Sequence, residues 1–224
     1  MKRVFILVEG QTEEIFVRTV LAPHLEAHKV WVTPILITTK RRKGAPNHKG
    51  GSVTWDRVSG DIKRLCADSN VVAITTMLDY YGLGAGFADR ATSLRSEPEQ
   101  RVSELGRALA EQVADERFYP FFMLHEFEAL LYSDALACAE YLECPGLLEM
   151  MAEAVKTCGS PESVNDSRQT APSKRIDAVL QKASKNAYSK TDAPLIVEAI
   201  GLPHIRAHCP HFDSWVTWLE SRGQ

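Results

Sequence analysis

Five acidic residues stand where they could share a cation. Glu9 follows the apolar run Val4 to Val8, and Glu13 comes four residues later. Asp79 closes the run Val71 to Leu78, and Glu126 and Glu128 follow Phe118 to Leu124, next to His125. If these runs are parallel strands of one open sheet, their carboxyl ends lie along one edge, the edge where ligands bind. Carboxylates gathered there repel and raise one another's pKa. A hard divalent cation relieves that repulsion. Mg²⁺ takes oxygen ligands, typically one or two carboxylates with several waters and a substrate phosphate. The chemistry served is phosphoryl transfer or phosphodiester cleavage. A single acid after a strand is more often a helix cap or a solvated end. The joint placement of Glu9, Glu13 and Asp79 is what favours a metal site. Glu126 and Glu128 are two apart, so one helix cannot turn both inward. Glu126 is expected to face the site, which leaves Glu128 as either a surface acid or half of an ion pair.

Basic residues could hold the phosphate. Lys174, in Ser173-Lys174-Arg175, opens a predicted helix after a polar loop, and a helix start with basic neighbours suits an anion. Lys40-Arg41-Arg42-Lys43, with His48 and Lys49, is the densest basic run. It lies just past a strand end on the expected active edge and suits phosphate contacts. It carries no aromatic for base stacking, so sequence reading is not expected there. The stretch Gly82 to Gly86 is not a phosphate-binding loop, because no Gly-Lys-Ser/Thr follows. His204, His208, Cys209 and His211 match no structural zinc spacing and read as packing around the last helix.

The elements that must position these groups alternate. Val4 to Val8 has the continuous apolar pattern of a central parallel strand. Thr12 is the expected N-cap of the next helix, with Glu13 and Glu14 in its first turn. Pro23 is expected to kink or divide that helix. Val30 to Thr39 reads as a strand, and Trp55, Val58, Ile62 and Leu65 have helical spacing with Thr54 as a cap. Val71 to Leu78 is a strand, Pro98 to Asp115 a helix, and Phe118 to Leu124 a fourth strand. This order implies an α/β fold, a parallel sheet flanked by helices. Beyond it Phe127 to Tyr132, Ala135 to Tyr141, Leu147 to Lys156, Lys174 to Ser184, Pro194 to Ile200 and Phe212 to Glu220 read as helices. The division expected is an α/β core over 1–128 and a mostly helical appendage over 129–224, packed on the core.

Composition sets outer bounds. The 224 residues are 45% hydrophobic and 25% charged, ordinary values for a globular chain. A net charge of -3 excludes a general polyanion coat, so any nucleic-acid contact must be local. The five cysteines form no Cys-x-x-Cys pair, which suits a reducing compartment and a cytoplasmic location. Val4 to Val8 is far too short to span a membrane, and no membrane partner is expected.

Glu9-Gly10-Gln11-Thr12-Glu13 after an apolar strand resembles the first motif of Toprim domains. It is most similar to the version in overcoming-lysogenization-defect nucleases. Asp79 resembles the first Asp of the Toprim Asp-x-Asp motif, and Tyr81 stands where the second Asp would be. Later segments resemble motifs of the Toprim-like domain-of-unknown-function family 4276. They are His125-Glu126-Phe127-Glu128-Ala129-Leu130-Leu131, Thr170-Ala171-Pro172-Ser173-Lys174-Arg175 and Cys209-Pro210-His211-Phe212-Asp213-Ser214-Trp215. The resemblance implies a Toprim-like sheet and a Mg²⁺- or Mn²⁺-dependent nuclease. Glu9 would be its acid, base or ligand, and Glu13, Asp79 and Glu126 further ligands; Glu126 or Glu128 could stand in for the lost Asp, with Glu126 preferred. Lys174 would steady the phosphate, while Lys40, Arg41, Arg42, Lys43, Lys49 and Arg175 hold nucleic acid. It further implies a role in anti-phage defence with a separate ATPase of the ABC or AAA type. A homodimer is left open. Two other readings stand beside it. One is an interaction module whose site has degenerated, and the other is a metal-dependent phosphatase or nucleotide-processing enzyme.

Overall fold

The computed structural model describes residues 2–37, 53–87, 98–164 and 170–224. Strand β1 (Lys2–Val8) lies between β2 (Val30–Leu36) and β3 (Val71–Asp79), parallel to both. Beyond β3 come two short parallel strands, β4 (Phe118–Tyr119) and β5 (Phe122–Met123). The expected fourth strand is thus interrupted. Pro120 sits in the gap and has no N–H to give to a ladder. The register is unbroken across it, with Thr75 opposite Tyr119 and Leu78 opposite Phe122. A side chain replaces the missing rungs. Thr76 Oγ1 donates to the Phe121 carbonyl at 2.7 Å and accepts from the Phe121 N–H at 2.9 Å.

Side chains alternate across β1 and divide the core between the two faces of the sheet. Phe5 and Leu7 pack with Ile74 and Leu78 and with residues of α3 (Trp55–Cys66) and α4 (Pro98–Val113). Val4, Ile6 and Val8 pack on the other face. That face is covered by the helix after β1 and by the C-terminal helices. These are α5 (Ala135–Tyr141), α6 (Gly146–Cys158), α7 (Pro172–Lys182), α8 (Ala193–Ile200), α9 (Leu202–His208) and α10 (Pro210–Ser221). Residues on both sides of the 128/129 boundary therefore share one core.

The helix after β1 runs as α1 (Gln11–Phe16), a π-turn (Val17–Leu21) and α2 (Ala22–Ala27). The wider turn falls just before Pro23, where an ordinary helical hydrogen bond has no donor. The helix expected at Phe127 to Tyr132 is a 3-10 helix, Phe127–Ser133. Trp215 is fully buried and donates its indole N–H to Thr75 Oγ1 at 3.0 Å, locking α10 onto the centre of β3.

Candidate functional site

The parallel pairing of β1 with β3 places Val8 opposite Met77. Glu9 and Asp79 therefore emerge side by side at the carboxyl edge. The 3-10 turn Tyr80–Gly82 then folds back over them. A Cβ placed on Gly82 would lie 3.4 Å from Glu9 Oε2 and 3.8 Å from Asp79 Cβ, so one point reaches both acids. Gly82, having no side chain, leaves room beside the Glu9 carboxylate.

Glu13 reaches the same edge by a different route from the one expected. Gly10, not Thr12, is the N-cap of α1. Glu13 is buried and turns back to accept the Gly10 N–H at 2.9 Å. Thr12 lies within the first turn, where its hydroxyl donates to the Lys190 carbonyl at 3.2 Å. A glycine can cap because its N–H lies open to the carboxylate at the third helical position.

The segment after β5 buries Glu128 in the cluster, while Glu126, whose charge also acts on Glu128 and Lys190, is held by Ser173. Glu126 Oε2 accepts from the Ser173 N–H at 3.2 Å and the Ser173 hydroxyl at 2.8 Å, capping the start of α7. Its backbone is extended, so the face rule for helices does not apply to this pair. Glu128 is 1% exposed, and neither of its carboxylate oxygens has a hydrogen-bond partner among the described residues. Oε1 faces the Lys190 ammonium at 3.5 Å. The surface-acid reading of Glu128 therefore fails, and the ion-pair reading stands. Asp79 Oδ1 accepts the Phe127 N–H at 3.0 Å, which fixes the turn that delivers Glu128.

Electrostatics bind these groups into one cluster. Burial pushes the Glu9 carboxyl up to about 7, and the neighbouring Glu13 charge adds to this. Burial likewise pushes Glu128 up to about 7, against the opposing pull of Lys190. Glu13 is raised by burial. Asp79 is raised well above the carboxylate range, first by burial and then by the charges of Glu13 and Glu128. Burial works against the Lys190 ammonium, but Glu128, Asp79, Glu126 and Glu13 together hold its proton above the ordinary lysine range. Glu9 Oε2 is also buried without a hydrogen bond.

Other expected positions fall elsewhere. Lys174 is exposed at the start of α7. Arg175 donates through Nε to the Thr170 carbonyl at 2.7 Å. Lys40, Arg41, Arg42, Lys43 and Lys49 lie outside the described residues. Among the described residues the cation that meets the acids is Lys190, in the 3-10 turn Lys190–Asp192, and sequence reasoning missed it. Tyr188, two residues before, was missed too. Its hydroxyl is buried without a hydrogen bond, and burial with the Glu128 charge pushes it above the ordinary phenol range. Nothing in the polar stretch around Lys190 distinguishes it from a solvated loop lysine.

The residues fit a cation in charge and in hydrogen bonding, since buried carboxylate oxygens stand without donors. The cluster is wide, however. Among the described residues the one trio of His, Cys, Asp or Glu whose ligand atoms all lie within 4.8 Å is His24, His28 and Glu220, away from this edge. An ion at the edge would take one or two carboxylates directly and the others through water, the habit of Mg²⁺. The histidines of the last segment hold no such site. His204 Nε2 meets the Ser133 carbonyl, His208 Nδ1 the His204 carbonyl and His211 Nε2 the Phe122 carbonyl. Glu162 instead caps α10 by accepting the His211 and Phe212 N–H groups, each at 2.9 Å.

Fold and site together define a parallel α/β protein with an acidic cluster at the carboxyl edge of its sheet. The family model described as Domain of unknown function (DUF4276) matches residues 8–220, and the chain belongs to that family. Comparison with curated proteins and with solved structures finds no match. Among the described residues no helix is long and apolar enough to cross a membrane.

Proposed function

We propose that the protein is a divalent-metal-dependent nuclease of the Toprim type, hydrolysing phosphodiester bonds of DNA or RNA. The observation that carries this reading is the meeting of Glu9, Glu13, Asp79 and Glu128 at one sheet edge, where Glu9 Oε2 and the Glu128 carboxylate are buried with no hydrogen-bond partner among the described residues. Glu9, Asp79 and Glu128 would hold Mg²⁺ or Mn²⁺, partly through water. The ion, when bound, supplies an activated water and charge for the leaving oxygen. Glu13 orients the edge by holding the Gly10 N–H. Glu9, with a pKa pushed up to about 7, is placed to move a proton at neutral pH. Lys190 would meet the phosphate charge, taking the role expected of Lys174. Glu128 replaces Glu126 as the extra carboxylate that offsets Tyr81. On this reading the protein is cytoplasmic and works in anti-phage defence with an ATPase on a separate chain.

The test is a nicking assay on supercoiled plasmid and on single-stranded RNA, with Mg²⁺ or Mn²⁺. Glu9→Gln and Asp79→Asn are each expected to cut the rate by about a hundredfold or more. Metal-dependent cleavage that persists in both variants would sink the proposal.

One observation favours a second reading. The Lys190 ammonium stands 3.5 Å from Glu128, so an internal cation already offsets part of the acidic charge. That arrangement suits an interaction module whose metal site has been given up. Manganese binding followed by electron paramagnetic resonance separates the two. Binding lost in Asp79→Asn supports the enzyme, and no binding in the wild-type protein supports the module.

A further inference from the structure

A second convergence of ligand atoms lies at the opposite rim of the sheet. α2 ends at Ala27 and β2 begins at Val30, so His28 sits beside the amino end of a strand. The acidic cluster is at the carboxyl ends. His24 and His28 are four apart and share one helix face, with ring centroids 5.0 Å apart. Both Nε2 atoms aim at one oxygen of Glu220 on α10. His24 Nε2 is 2.6 Å from Glu220 Oε1, and His28 Nε2 is 3.6 Å from it.

We propose that His24, His28 and Glu220 bind a zinc-class dication that staples α2 to α10. Two imidazoles and a carboxylate are the donor set that selects such a metal, with water in the fourth position. The site is built rather than incidental in two respects. Glu220 is oriented from behind, because Arg206 Nη2 lies 3.3 Å from Glu220 Oε2 and 3.1 Å from Thr217 Oγ1, while Arg206 Nε is held by Asp213. Outer groups of this kind fix a metal ligand's direction. The end of α10 is also pressed against the end of α2, where Gly223 meets the His28 carbonyl with no room for a Cβ. The two helices therefore cannot slide apart without losing the geometry.

Arg206 Nη1 also contacts Glu220 Oε1 and lies 3.4 Å from His24 Nε2. The guanidinium is one rigid plane, so the ion must share the Glu220 carboxylate with Arg206. His28 is 42% exposed at its side chain, which leaves an entry path and room for water. The imidazoles must be neutral to bind, so affinity falls as the medium is acidified.

Zn²⁺ alone is the probe, titrated into the full chain by calorimetry and by thermal melting. The wild-type protein is expected to bind one equivalent saturably and to melt at higher temperature with zinc than without. His28→Ala and His24→Ala are each expected to lose about tenfold or more in affinity and to lose the melting shift. His28→Ala alters a half-exposed side chain, so its metal-free melting temperature serves as the folding control. The double variant Glu9→Gln/Asp79→Asn is expected to keep the zinc site, which separates this proposal from the nuclease reading. Absence of saturable binding, affinity unchanged in both histidine variants, or binding lost only in the double variant would each overturn it.

Discussion

The Asp79 carboxylate accepts the backbone N–H of Phe127 at 3.0 Å, tying the end of β3 to the turn that buries Glu128. One residue thus belongs both to the acidic edge and to the scaffold that completes it. Asp79→Asn keeps an oxygen acceptor and should leave the urea midpoint close to wild type. Asp79→Ala removes the acceptor and should cost about 1–3 kcal/mol, the scale of an unsatisfied buried donor. Equal midpoints for the two variants would show that the bond has no structural weight.

The division of labour between neighbours can be tested by exchange. Lys190→Met and Glu128→Gln should each lower metal-dependent cleavage by about a hundredfold, because each alters charge at the reacting edge. Lys174→Met should leave the rate unchanged, and Glu126→Gln should act on stability through Ser173 rather than on rate. A Glu126→Gln variant that is folded but inactive would return Glu126 to the site.

Glu9 and Glu128 give stability a pH dependence of definite sign. Each carboxyl rises from 4.5 to about 7 on folding. Between these values the folded chain binds more protons than the unfolded chain, so stability falls as pH rises. The penalty grows from about pH 4.5, is complete above about pH 7, and amounts to several kcal/mol for the two carboxyls, with the partly exposed Glu9 contributing less than the buried Glu128. Chelator-treated protein should therefore melt at lower temperature near pH 8 than near pH 5. Mg²⁺ should recover the lost stability at the higher pH and do little at the lower. A melting temperature that climbs steadily toward alkaline pH would contradict the burial of these acids.

The clasp between α10 and β3 should be measurable as a coupling. Trp215→Phe and Thr75→Val each break the indole–hydroxyl bond. Trp215→Phe should cost about 1–2 kcal/mol. Thr75→Val, which strands the buried indole N–H, should cost about 1–3 kcal/mol. The double variant should cost less than the sum of the two, with a coupling above about 0.5 kcal/mol. Strict additivity would mean that the bond contributes nothing.

Sequence pattern alone determined the strands, their parallel sense and the edge at which Glu9 and Asp79 emerge. Continuous apolar runs alternating with amphipathic helices leave a covered parallel sheet as the way to bury both faces of Val4 to Val8. The acids at the ends of such runs share a rim by topology, with no detail of packing required. Local choices that depend on distant partners were hidden. Thr12 carries a good capping hydroxyl, yet the Lys190 carbonyl takes it and leaves Gly10 to cap. Glu126 and Glu128 are equivalent as letters. Ser173, distant in the chain, claims the first, and Lys190 meets the second. Lys190 entered the cluster only because α8 and the turn before it pack onto α1 from the far end of the chain. Periodicity reports which face a residue turns inward, but tertiary structure alone decides which partner waits there.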